Sequence, residues 1–438
     1  MRERDFSIAL AEWKLMRLPE LVERDIEIPL EPSSIVAIVG PRQAGKTYRI
    51  FQLIKDLLKK GFPRENILYV NFEHERLRNL DANDLEDMMK VFYQLFSPRD
   101  QIYLFLDEVQ NVKDWDRWVR RVYDSGKYRI YISGSSSRLS SREIATSLRG
   151  RSIDYPVFPF SFREFLRSKG FFLNSDAMGY LEERGRILGL LEEYLRFGGY
   201  PKVVLTEDQE EKRRILKSYY EAVFYRDLVE RCKLDPELLD SFLRYSISCF
   251  SKQISISKIH SYLRSIGLRC SKATLIKFLR CAEQAYFLFP VEIFSYSIKE
   301  RKQYPRKLYV VDNGIINVIY PESGIGGLME NAVAVEMLRR GIEIFYWREY
   351  GKRNGAEVDF VVRDGIKVSK LVQVTYASSR EDLNRREMRA LLKASSELGC
   401  DDLLVITWDY EDEMEYEGRK VRFTPMWKWL LREAESRN

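Results

Sequence analysis

The sequence predicts an α/β protein: a parallel sheet covered by helices, then a helical section, a basic winged helix and a second α/β unit. Three observations carry that reading. Helix and strand signals alternate from Ile35 to about Phe158, the pattern of a parallel sheet with helices on both faces. A phosphate-binding motif, Gly40-Pro41-Arg42-Gln43-Ala44-Gly45-Lys46-Thr47, stands between the apolar run Ile35 to Val39 and a helical segment beginning at Tyr48. Between Ser251 and Arg306 there are eleven Lys and Arg against three Glu, a net +8 in a chain whose total is +6.

The motif in its strand-loop-helix context is a P-loop, which predicts binding of a nucleoside triphosphate such as ATP. Phosphates need convergent donors without side-chain clashes, so Gly40 and Gly45 let the backbone turn its N-H groups inward. The following helix adds its positive dipole end. Lys46 is assigned to the β- and γ-phosphates and the Thr47 hydroxyl to Mg²⁺. Gly40, Pro41, Arg42, Gln43, Ala44, Gly45, Lys46 and Thr47 together form the expected nucleotide cradle.

A second motif completes a hydrolytic site. Ile102 to Leu106 is a fully apolar run of the kind a central parallel strand shows, and it ends in Asp107-Glu108. Two carboxylates at the end of a buried strand are costly unless they meet a cation or a reacting water. Asp107 is therefore assigned with Thr47 to the Mg²⁺ shell, and Glu108 to polarising the attacking water. The next strand, Tyr128 to Ile132, runs into Ser133-Gly134-Ser135-Ser136-Ser137, where Ser133 or Ser135 is expected to sense the γ-phosphate. Ser135 is placed among the catalytic residues. Downstream, Leu148-Arg149-Gly150-Arg151 offers two guanidinium groups, with Arg151 preferred over Arg149 for neutralising charge in a neighbouring subunit's site.

Composition sets the outer bounds. With 438 residues and 45% hydrophobic content the chain has material for two or three cores. No apolar stretch approaches the roughly 18 to 20 residues a membrane span needs, so a soluble cytoplasmic protein without a membrane partner is expected. Five cysteines, none in a Cys-x-x-Cys pair, and two histidines offer no zinc site, and the cysteines are expected to be thiols.

After Phe162 helical patterns take over to about Cys249 and predict a lid, with Gly198-Gly199-Tyr200-Pro201 ending one of its helices. The basic window follows. Ile254 to Leu263 reads as one helix, and Ser271 as the cap of a second from Lys272 to Tyr286. A hairpin from Val291 to Val311 follows, its tip carrying Lys299, Glu300, Arg301 and Lys302. Lys272, Thr274, Lys277, Arg301 and Lys302 are the expected DNA contacts, since a local basic excess is the footprint of a polyanion surface. The last third predicts strands over 342–347, 357–362, 370–376 and 403–407, with helices around 328–338 and 382–398. Glu330, Asp359 and Gln373 there fall where a metal-dependent nuclease places its ligands.

Taken together these motifs resemble the archaeal P-loop ATPases of the AAA+ group that join a winged helix to a nuclease-like domain. The resemblance adds Leu106 to Val112 with Trp115, Phe-Pro-Phe-Ser-Phe-Arg-Glu-Phe at 158 to 165, Leu-Tyr-Val-Val-Asp-Asn-Gly at 308 to 314 and Glu-Val-Asp-Phe-Val at 357 to 361, and covers nearly the whole chain. It implies a P-loop NTPase core over 1–165, a helical lid over 166–245, a winged helix over 246–318 and a domain of the PD-(D/E)xK nuclease fold over 319–438. It also implies ATP hydrolysis, with homo-oligomers an open question. The chain departs from the active nuclease pattern, which carries an acid and a lysine in its third motif, where this sequence has Gln373-Val374-Thr375. Loss of the carboxylate and of the cation predicts an inactive domain kept for binding or structure. The expected function is an ATPase that engages DNA. The alternatives are a nucleotide-dependent switch or scaffold for a protein partner, and an ATP-coupled nuclease.

Overall fold

The computed structural model describes residues 2–134, 144, 146–172, 181–349 and 355–432. They fall into two compact units, Met1–Phe158 and Pro159–Asn438.

The first unit opens with helix α1 (Arg2–Leu15), whose buried face is Phe6, Leu10 and Trp13. It contains strands β1 (Ile35–Val39), β2 (Ile67–Asn71), β3 (Ile102–Asp107), β4 (Tyr128–Ser133) and β5 (Ser152–Pro156). All pair in parallel, in the order β2-β3-β4-β1-β5. β1 is buried at every position and β3 likewise, as the apolar runs predict for central strands of a covered sheet. Helices α2 (Lys46–Lys59), α3 (Asp84–Phe96) and α4 (Trp115–Asp124) supply the connections. Because β4 lies between β1 and β3, the carboxyl ends of all three strands converge. In parallel sheets that edge is where ligands bind.

The second unit begins with helices α5 (Phe162–Ser168), α6 (Leu181–Phe197), α7 (Pro201–Leu205), α8 (Gln209–Ala222), which continues through a wider π turn over Val223–Glu230, and α9 (Pro236–Ser248). α5 starts with a reciprocal cap between Ser161 and Glu164, which accounts for the Phe-Ser-Phe-Arg-Glu motif as a helix start. Next come β6 (Gln253–Ile254), α10 (Ile256–Ser265), α11 (Lys272–Gln284), β7 (Leu288–Val291), α12 (Ile298–Gln303) and β8 (Arg306–Val310), with the three strands ordered β6-β8-β7. Ser271 caps α11 through the Thr274 N-H at 3.0 Å, as expected. The segment expected to be a simple hairpin tip is instead α12. Its Lys-Glu-Arg-Lys-Gln run has strong helix propensity, and Ser297 caps it.

Helices α13 (Asn313–Ile319) and α14 (Ile325–Arg339) lead to a six-stranded mixed sheet. It is built from β9 (Ile344–Arg348), β10 (Glu357–Asp364), β11 (Lys367–Val374), β12 (Leu403–Thr407), β13 (Asp412–Tyr416) and β14 (Arg419–Pro425), in the order β13-β14-β12-β11-β10-β9. Helix α15 (Arg385–Leu398) covers it, and α16 (Met426–Leu431) ends the described chain. The sheet buries Val358, Val361, Leu371, Leu403 and Val421 against Leu391 and Ala394 of α15.

Two quoted motifs meet in this unit. Asp312 accepts from the Gly199 N-H at 2.7 Å and the Gly314 N-H at 2.9 Å, tying the Gly-Gly turn after α6 to the start of α13. Gly198 has φ +74°, and a Cβ there would lie 1.8 Å from an Asp312 oxygen, so only glycine fits. Burial pushes the Asp312 carboxyl up to about 6, although both backbone donors favour its charged form. The expectation that every cysteine is a thiol is corrected. Cys232 and Cys281 form a disulfide that joins the end of the long helix begun by α8 to α11, with Cα atoms 6.6 Å apart. Cys249, Cys270 and Cys400 are free.

Candidate nucleotide site and a second polar cluster

Chain direction and two glycines shape the loop after β1. Gly40 has φ +136°, and a Cβ at this position would fall 2.2 Å from the Val157 carbonyl oxygen, so the loop can lie against the end of β5 only with glycine there. Gln43 (φ 61°) and Gly45 (φ 95°) add the left-handed turns that bring Lys46 into the first position of α2. Lys46 is 6% exposed, and its ammonium donates to the carbonyls of Gly40 at 3.1 Å and Pro41 at 2.9 Å, folding it over its own loop. Arg24, 7% exposed, donates to the Ala44 carbonyl at 2.8 Å and the Phe158 carbonyl at 2.5 Å. It braces the loop from behind. Nothing in the irregular stretch around it announces that role.

The acidic end of β3 meets this loop. Asp107, fully buried, accepts from the Thr47 hydroxyl at 2.8 Å, the Tyr69 hydroxyl at 3.1 Å and the Ser133 hydroxyl. Burial raises its pKa, Glu108 adds to the rise, and the Ser133, Thr47 and Tyr69 hydroxyls oppose it. Burial and Asp107 in turn hold the Tyr69 phenol well above its ordinary range, so it stays a donor. Glu108 is half-buried with φ 54°, its N-H donating to the Ser133 hydroxyl at 3.2 Å and its carboxylate accepting from Gln110. A hydroxyl and a buried carboxylate at one point form a hard oxygen donor pair that suits Mg²⁺, and the ion's charge would offset the burial of Asp107. No group of three or more His, Cys, Asp or Glu among the described residues is arranged to hold a metal ion alone. A cation at Thr47 and Asp107 would thus share phosphate oxygens, as Mg²⁺ in nucleotide sites does.

The structure brings together Lys46, Thr47, Asp107, Glu108 and Ser133. Tyr69 joins them unannounced, because a tyrosine in an apolar strand reads as core. Ser135 lies outside the described residues. Arg151 is drawn elsewhere. Its carbonyl pairs with Ile35 at the start of β1, the end of the sheet opposite the loop, and its guanidinium binds Asp124 at 2.9 and 3.2 Å. Arg149 is exposed with φ 52°.

In the second unit Lys272 and Lys277 are exposed on α11, with Lys272 donating to Ser257 at 3.0 Å. Thr274 is half-buried and shares its hydroxyl with Ser271 at 2.9 Å. Lys302 is exposed on α12, whereas Arg301 turns inward, its guanidinium 5.6 Å from the Phe345 ring centroid. Glu330, Asp359 and Gln373 do converge. Gln373 donates its amide to Asp359 at 2.7 Å, and the Val374 N-H donates to the same oxygen at 3.0 Å. The expectation that this cluster has lost its cation is overturned. Lys307, 1% exposed on β8, lies 2.8 Å from Asp359, 2.8 Å from Glu357 and 3.0 Å from Glu330. Burial works against its charge, but Asp359, Glu330 and Glu357 outweigh it and hold the ammonium well above its ordinary pKa.

Residues 32–166 match the AAA domain family. Residues 188–325 and 325–429 match two families described as domains of unknown function, DUF8612 and DUF4143. An uncharacterized protein of Methanocaldococcus jannaschii is 36% identical over 435 residues, covering 97% of this chain and 94% of that protein. An uncharacterized protein of Haemophilus influenzae is 29% identical over 397 residues, covering 90% and 94% respectively. Among solved structures, a Walker-type ATPase of Pyrococcus abyssi aligns with a TM-score of 0.44 at 13% identity, covering 65% of this chain and 90% of that one.

The parallel sheet, the loop and the carboxylate facing it define a nucleotide-binding P-loop domain of ATPase type. The chain belongs to one family with the uncharacterized Methanocaldococcus jannaschii protein that matches it over nearly its whole length, and its residues 32–166 form an AAA-type P-loop domain. No helix among the described residues is long and apolar enough to cross a membrane.

Proposed function

We propose that the chain hydrolyses ATP at Gly40 to Thr47 and uses the nucleotide state to control how its second unit holds DNA. One observation supports the hydrolytic part most. The Thr47 hydroxyl reaches the Asp107 carboxylate at 2.8 Å across 60 residues of sequence, so the end of the loop and the acid of β3 share one point. Lys46 exchanges its loop carbonyls for phosphate oxygens, and the N-terminus of α2 adds its dipole. Thr47 and Asp107 would hold Mg²⁺, which when bound would neutralise charge developing on the phosphates. Glu108 accepts the proton of the attacking water, and Ser133, bonded to both Asp107 and the Glu108 backbone, fixes the distance between those two acids. Arg149, exposed beside Gly150, replaces Arg151 as the residue that would reach a second copy in a homo-oligomer, because Arg151 is engaged by Asp124.

The DNA part of the reading rests on 246–318. The succession α9, β6, α10, α11, β7, β8 with strand order β6-β8-β7 supports a winged helix, and Lys258, Lys272, Lys277, Arg280 and Lys302 are exposed on it. We read 1–165 as the ATPase core, 166–245 as a helical lid and 319–438 as a nuclease-like domain without cleavage activity. Anisotropy of a labelled DNA duplex, titrated across salt concentrations, tests the contact. Replacing Lys272, Lys277 and Lys302 by Ala should weaken binding and flatten the salt slope by about 0.9 for each phosphate contact removed. No binding at low salt, or an unchanged slope, refutes it. Ile276, 42% exposed between those lysines, favours the second reading, in which the same face holds a protein partner.

A further inference from the structure

We infer that Lys307 is the resident cation of the second unit's carboxylate cluster, closing it to divalent metal and locking β8 to β10 and α14. An ammonium carries three N-H donors and no acceptor. Here it meets three carboxyl groups at 2.8 to 3.0 Å, donating hydrogen bonds to Glu330 and Asp359 and pairing as an ion with Glu357. These are hydrogen-bond lengths, longer than the roughly 2.0 to 2.6 Å of oxygen bound to Mg²⁺ or Ca²⁺. The carboxyl groups have further donors as well. The second oxygen of Asp359 accepts from the Gln373 amide and the Val374 N-H, that of Glu357 accepts from the Gln253 amide at 2.7 Å, and Glu330 also accepts from the Tyr309 hydroxyl at 2.7 Å. A hard cation would have to displace the lysine and break several of these bonds together.

Gln373 acquires a reason in this arrangement. A carboxyl group in its place would crowd a fourth acid around one buried cation, whereas its amide donates to Asp359 and helps disperse that charge. The lysine also crosses between sheets: β8 belongs to the three-stranded sheet beside α11, and β10 to the six-stranded sheet. A second link runs parallel to it, where the Phe294 N-H donates to the Tyr346 carbonyl at 2.7 Å. Lys307 therefore acts as a positioning residue that fixes the basic helix-turn-helix face against the C-terminal sheet. The inference rests on the reading of this domain as lacking cleavage activity, and a metal-binding readout separates the two.

The test uses the full chain without nucleotide and Mn²⁺ as probe, read by the electron paramagnetic resonance signal of free Mn²⁺ and by thermal melting. Wild type should leave Mn²⁺ free and melt at the same temperature with or without it. Lys307→Met should melt roughly 6 to 10 °C lower, as expected for breaking a buried ion pair, and should now be raised by Mn²⁺. The triple variant Lys307→Met, Glu330→Gln, Asp359→Asn should recover most of the loss and show no response to Mn²⁺. Mn²⁺ binding by wild type that Asp359→Asn removes would overturn the inference, as would Lys307→Met melting like wild type. If Lys307→Met does not fold, a folded triple variant upholds charge compensation and an unfolded one overturns it. Plasmid cleavage by wild type without Mn²⁺ uptake at Asp359 would refute the inactive-domain reading alone.

Discussion

The disulfide between Cys232 and Cys281 gives the sharpest stability prediction, because its effect follows from chain length. It closes a loop with a sequence separation of 49. Loop-closure entropy for a loop of that size stabilises the folded state by about 4 kcal/mol at 25 °C, by restricting the unfolded chain. For a unit of this size each kcal/mol moves the melting temperature by roughly 2 °C, so Cys232→Ser with Cys281→Ser should lower it by about 8 °C. Reduction of wild type should do the same, and adding reductant to the double variant should do nothing further. Cys270→Ser serves as control, since that thiol is free and only partly buried. Thiol titration in denaturant should find three reactive groups before reduction and five after. Five before reduction, or melting curves of wild type and double variant within about 1 °C, would refute the reasoning.

Other outcomes follow from single side chains. Tyr69→Phe removes one of the three hydroxyls on Asp107, and a hydrogen bond to a charged group is worth about 1.5 to 3 kcal/mol, so ATP turnover should fall roughly 10- to 150-fold. Since that bond favours the charged carboxylate, the acid limb of the activity profile should move to higher pH, and an unmoved limb would show that Asp107 does not govern it. Asp312 tests linkage with the opposite sign from an ordinary paired acid. Its folded pKa of about 6 lies above the unfolded value of 3.8, so the folded state takes up the proton first as pH falls. Relative to Asp312→Asn, wild type should gain about 2.4 kcal/mol between pH 7 and 4 in urea unfolding, and a difference independent of pH would contradict the burial argument.

The candidate nucleotide site was legible because its signals are local. An apolar run, a glycine loop and a helix occupy one stretch from Ile35 to Lys59, and Asp107 ends another apolar run. Ser133 was one of two serines offered after its strand, with Ser135 placed among the catalytic residues; it is the strand order, with β4 between β1 and β3, that brings Ser133 to Asp107. What escaped depends on contacts distant in sequence. Lys307, just past the basic window, reads as one more basic residue until the sheets bring it to Glu330, 23 residues away, and to Asp359, 52 away. Arg24 and Tyr69 were hidden for the same reason. Arg151 was read for a role in a neighbouring subunit's site; within its own chain the β1-β5 register sets it at the end of the sheet away from the loop, paired with Asp124. Helix α1 has buried Phe6, Leu10 and Trp13 within a highly charged segment, so its amphipathic signal is weak. The tip of the basic hairpin became α12 because local helix propensity prevailed over the expected turn.

The most direct test of the central claim is steady-state ATP hydrolysis with Mg²⁺, comparing wild type with Lys46→Ala and Glu108→Gln and assaying each with and without duplex DNA. If Gly40 to Thr47 and Asp107 form the hydrolytic site, wild type turns over ATP and both variants lose at least about 100-fold, with Glu108→Gln still binding nucleotide. Turnover by Lys46→Ala at the wild-type rate would contradict it.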